Sequence, residues 1–127
     1  MAGDDFALVV VGDTDWKWDV DAVLAAIAAT WPLARIYDGY PVQGSTFRTA
    51  VDLPDPPGDR GIQVGLHDSG RMISLEYGSP EATAQFVTWV LDRFPPPDDV
   101  TVQLFEWGNH PRVTARTTVE DLLAAGP

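Results

Sequence analysis

The chain has 127 residues, no cysteine and a formal net charge of -11. That length suits one domain, which buries roughly two-thirds of its unfolded surface without a disulfide or a metal. The acidity argues against docking on nucleic acid or anionic lipid, and the absence of thiols excludes a disulfide framework and thiolate metal sites.

The first apolar run, Phe6 to Val11, is too short to span a membrane. Asp4 and Asp5 stand where a signal peptide needs positive charge, so a cytoplasmic protein is expected. Seven of the eight cations are Arg, and Ala, Val, Gly, Pro and Asp abound, a bias that fits GC-rich bacterial codons. The run itself is apolar throughout and predicts a central strand buried on both faces. Gly12 ends it.

A helix follows with a well-marked start. Asp19 is the N-cap, Asp21 lies in the first turn, and Trp18 with Val23 has the spacing of a hydrophobic staple. Val20, Val23, Leu24, Ile27 and Trp31 form its apolar stripe, and Pro32 stops it. A short strand is expected over residues 34–37, a loop over 38–45 and an alternating strand over 46–53. The Pro-rich stretch 54–61 reads as an exposed connection.

Residues 62–67 and 71–77 read as a hairpin. Ile62, Val64 and Leu66 are apolar at even positions, whereas Ile73, Leu75 and Tyr77 are apolar at odd ones. They share a face only in a register that a two-residue Ser69-Gly70 loop supplies, with Leu66 opposite Ile73, Val64 opposite Leu75 and Ile62 opposite Tyr77. The second long helix carries three concordant start signals: Ser79 as N-cap, Pro80 and Glu81. Phe86, Val87, Val90, Leu91 and Phe94 form its stripe, with Trp89 on the flank, and Pro95-Pro96-Pro97 ends it. A strand over 100–107 places Val102 and Leu104 on one face and Phe105 and Trp107 on the other. Residues 113–116 extend the sheet, and Thr118 opens a last short helix. There is no internal repeat and no composition break, so residues 1–127 read as a single domain. Four strands in succession favour an antiparallel meander. The expected fold is α+β: a two-layer sandwich with a mostly antiparallel sheet (β-α-β-β-β-β-α-β), two amphipathic helices on one face and a short C-terminal helix.

Catalytic signals are weak. His67 has Met72 as its cross-strand neighbour in that register, and Glu76 lies roughly 13 Å along the strand, too far for a dyad. His110 sits in a loop between Asn109 and Pro111. Asp13, Asp15, Asp19 and Asp21 resemble a calcium loop only superficially, because Lys17 occupies a ligand position and the glycine and terminal glutamate of an EF-hand are missing. No phosphate-cradling glycine motif follows the first strand, and no serine sits in a nucleophile elbow. No catalytic residue, metal site or cofactor is therefore expected.

Six carboxylates against one amine crowd the first 21 residues. The candidate partner-binding residues are Asp13, Asp15, Trp16 and Trp18 in this acidic stretch, with Phe105 and Trp107 as further aromatic anchors. The expectation is a small acidic module that masks a basic protein partner, in the manner of an immunity or antitoxin-type inhibitor of a toxin, with no nucleic acid and no membrane among its partners. A secretion chaperone holding an apolar segment, and a small-molecule enzyme using His110 with Glu106 or Arg112, are the alternatives.

Overall fold

A computed structural model describes residues 5–38, 47–53 and 61–126. Of the expected loop over 38–45 and the expected connection over 54–61, residues 39–45, with Tyr40, and 54–60 lie outside the described residues. The elements run β1 (Phe6–Val11), α1 (Val20–Thr30), β2 (Arg35–Asp38), β3 (Phe47–Leu53), β4 (Ile62–His67), β5 (Met72–Glu76), α2 (Pro80–Arg93), β6 (Thr101–Phe105), β7 (Arg112–Val113) and α3 (Val119–Ala125). This is the two-layer α+β arrangement that the sequence pattern predicts.

The strands form one seven-stranded antiparallel sheet in the order β2-β3-β4-β5-β1-β6-β7. The meander β2 to β5 is present. β1 inserts between β5 and β6, so α2 carries the chain across it. Phe6, Leu8, Val10, Val51, Leu53, Ile62, Val64, Leu66, Ile73, Leu75, Val102 and Leu104 share one buried face of the sheet. Val23 and Ile27 of α1 and Phe86, Val87, Val90 and Leu91 of α2 close the same core. Side-chain burial of this kind contributes roughly 1.5–3 kcal/mol per large apolar residue.

Local start signals account for the helices. Asp19 accepts a hydrogen bond from Ala22 N–H, Ser79 from Ala82 N–H, and Thr118 forms a reciprocal capping box with Asp121. Both staple residues of α1, Trp18 and Val23, are buried.

Three expectations need correction. β1 is buried on one face, not two: Ala7, Val9 and Val11 are half-buried on the side away from the helices. An apolar run alone does not reveal whether a second layer exists. The hairpin register is the expected one, with Leu66 opposite Ile73 and Val64 opposite Leu75. Its turn starts earlier, however, with Gly70 N–H donating to His67 O, and pairing ends at Gln63 and Glu76. Tyr77 then takes a left-handed φ of 68° and leaves the core, 59% exposed. Finally, Trp107 does not share the outer face with Phe105. β6 ends at Phe105, Glu106 turns at φ 69°, and the broken alternation sends Trp107 into the core.

The sheet face away from the helices carries no further helix or strand among the described residues. Across it the register aligns Tyr37, Ala50, Gly65, Ser74, Ala7 and Phe105, small residues between two aromatic ends. Glu76 lies on this face, and its carboxyl is pushed above the usual carboxylate range by burial, then by the negative charge of Asp5, with a hydrogen bond from Tyr77 opposing both.

Candidate functional site

The acidic stretch between β1 and α1 is held from outside itself. Arg71, at the mouth of the β4–β5 hairpin, donates from Nη1 to Thr14 O at 2.6 Å and from Nη2 to Gly12 O at 2.9 Å and Val10 O at 3.3 Å. Backbone bonds reinforce this clamp: Val10 N–H donates to Arg71 O and Trp18 N–H to Gly70 O, each at 2.8 Å. Thr14 Oγ1 accepts from Trp16 N–H and tightens the turn. Gly70 has a φ of 70°, and a Cβ there would collide with the Trp18 carbonyl, so only glycine allows the two segments to close.

The guanidinium thus binds carbonyls of the loop, and the side chains of Asp13, Asp15, Lys17 and Asp19 are exposed. The aromatics act from below. Trp18 is 2% exposed and donates from Nε1 to Phe94 O at the end of α2. Trp16 is half-buried and packs edge-on against it, with ring centroids 5.3 Å apart. Trp18 therefore presents almost no surface to a partner, whereas Asp13, Asp15 and part of Trp16 do. A cleft of about 320 Å³ opens where the end of this stretch meets the β4–β5 hairpin, lined by Lys17, Trp18, Asp19, Val20, Asp68, Ser69 and Gly70. Two carboxylates and one ammonium stand in its walls.

The second aromatic candidate behaves differently. Trp107 is fully buried, donates from Nε1 to Leu122 O at 2.8 Å and packs edge-on to Phe6. It fastens α3 to the sheet. Phe105 remains half-buried on the open face beside the His110 ring. The structure does not bring Phe105 and Trp107 together into one patch.

His110 is structural in its contacts. Its Nδ1 accepts from Glu106 N–H at 2.9 Å, its carbonyl accepts from Gln103 Nε2, and its own N–H donates to Trp107 O. Arg112 reaches the other way, to Asp98 O and Val100 O. His67 Nδ1 lies 3.0 Å from Ser69 Oγ within its own turn. Among the described residues no three acidic or imidazole side chains converge on a metal position, and no helix is long and apolar enough to cross a membrane.

Sequence reading missed Arg71. Its signal was available: it is one of eight cations in a chain with nineteen carboxylates, and it follows the hairpin glycine. What the linear sequence does not reveal is that β5 pairs with β1, which brings Arg71 to the exit of β1. Family models, curated proteins and solved structures offer no match to this chain.

Proposed function

We propose that this protein is an acidic binding module that masks a cationic protein partner through the loop from Gly12 to Asp19. An immunity-type or antitoxin-type inhibitor of a basic toxin is the version that its charge and size suit best. The observation that carries this reading is the Arg71 clamp. An arginine spent on neutralising the loop would pair with its aspartates. This one binds three carbonyls, which orders the backbone and leaves the carboxylates facing water. Ordering before encounter lowers the entropic cost of association, and exposed carboxylates steer a cationic partner. The cleft between Asp19 and Asp68 has room for a lysine or arginine side chain of that partner.

The test is association kinetics by surface plasmon resonance against the protein encoded beside it in its genome. Asp13→Asn with Asp15→Asn should slow association several-fold at low salt and flatten its salt dependence, and Trp16→Ala should speed dissociation. Unchanged rates in both variants would move the binding face elsewhere.

The open sheet face favours one second reading, an accessory protein that holds an apolar segment over the row from Ala50 to Ala7. That complex would be insensitive to salt and to both aspartate substitutions, and sensitive to Ala7→Lys.

A further inference from the structure

The two edges of the sheet are finished differently. β7 contributes only two residues, follows Pro111 and carries the exposed Arg112, all devices that blunt an edge. β2 closes the other end with four residues, and among the described residues no strand pairs with its outer side. The large exposed apolar side chains gather there. Leu33 is 77% exposed, Ile36 40% and Tyr37 39%, and Tyr77 is the only other such residue among those described. Edge strands with exposed apolar side chains are templates for further pairing.

We propose that β2 pairs with β2 of a second copy of this chain, antiparallel about a two-fold axis through Ile36. Symmetry and pleat select this register. A two-fold axis normal to the sheet keeps the helix layers of both copies on one side, so facing residues must come from the same face. Ile36 lies on the helix face, opposite Val51, and Arg35 and Tyr37 lie on the open face, opposite Asp52 and Ala50. Centring the axis on Ile36 sets Ile36 against its own copy and Arg35 against Tyr37 of the second copy, twice. Apolar meets apolar on the helix face, and a guanidinium meets an aromatic ring on the open face.

Charge opposes the pairing of two like copies least at this place. Each copy carries -11 overall, yet β2 holds one cation and one anion, Arg35 and Asp38. The acidic loop leaves β1, four strands away in the sheet order, or roughly 19 Å at the usual strand spacing. Pairing at β2 therefore keeps the two acidic loops apart and leaves both accessible. A four-residue edge is smaller than a standard interface of about 1,200–2,000 Å², so the dimer is expected to form only at high protein concentration.

The whole chain allows a register-specific test, because it has no native cysteine. Sedimentation equilibrium between about 10 µM and 1 mM should show a reversible monomer–dimer equilibrium, and Ile36→Lys should remove the dimer. Ile36→Cys places two thiols on the axis, where facing Cα atoms are about 4.5–5.5 Å apart and a disulfide forms without strain. Tyr37→Cys places them about two residues out of register, beyond the roughly 7 Å limit. Under a mild glutathione couple, Ile36→Cys should form covalent dimer at least tenfold faster than Tyr37→Cys. A chain that stays monomeric throughout, or equal cross-linking of the two cysteine variants, would overturn the proposal. The cysteine comparison decides the matter even if Ile36→Lys fails to fold.

Discussion

Two aromatic-bearing connections, residues 12–19 and 105–111, look alike in the sequence and do opposite things. Each has a tryptophan that is driven into the core, Trp18 in one and Trp107 in the other. The second closes on itself. Glu106 N–H meets His110 Nδ1, His110 N–H meets Trp107 O, and positive φ values at Glu106, Gly108 and His110 coil the chain back. The first is ordered by a side chain 57 residues away, Arg71. A self-closed loop spends its polar groups internally. A loop clamped from outside through its carbonyls keeps its side chains for solvent, which is why the acidic stretch is the better candidate for a partner face. Trp18 and Trp107 are nails rather than contacts.

The largest test of this contrast is removal of the nails. Trp18→Ala and Trp107→Ala should each lose about 3–5 kcal/mol of stability, as for other large-to-small core changes. Urea denaturation measures this. A loss below about 1 kcal/mol at either site would mean that the ring is not in the core.

Next comes the clamp. Arg71→Ala removes a charged donor from three carbonyls, which should cost about 1.5–3 kcal/mol. Hydrogen exchange should quicken at the Trp16 and Trp18 amides and stay unchanged at the His110 amide. Equal acceleration in both loops would erase the distinction between an externally held loop and a self-closed one.

The smallest effect concerns the open face. The Glu76 carboxyl lies above the usual carboxylate range, chiefly through burial. The folded state then holds this proton more tightly than the unfolded chain does. Its ionisation therefore removes stability as pH rises from the ordinary carboxylate value of 4.5 through the raised folded value. Glu76→Gln should stabilise the protein slightly at neutral pH and have no such benefit in acid below that window. Denaturation midpoints at the two pH values check it, and a midpoint lowered at neutral pH would reverse the sign.

Much of the architecture was legible because its signals are local. Asp19, Ser79 and Thr118 cap helices by bonds that span three residues. The hairpin register follows from the parity of apolar positions, which survives even though the turn begins at His67 rather than at Ser69. The misplacements of Tyr77 and Trp107 have one cause. Alternation predicts a side chain's face only while the strand continues, and left-handed turns at Tyr77 and Glu106 end it. Nothing short-range marks those turns, since neither residue is glycine.

The sequence by itself determined the helices, the antiparallel meander, the acidity and the exposure of Asp13 and Asp15, because each rests on short-range periodicity or on the cost of burying charge. Only the tertiary structure decided which face of β1 stays open, where Trp107 goes, and that Arg71 belongs to the acidic loop. The open face follows from both helices packing on the other side, Trp107 from the left-handed turn at Glu106, and the Arg71 contact from β1 pairing with β5, segments more than sixty residues apart that no local pattern encodes.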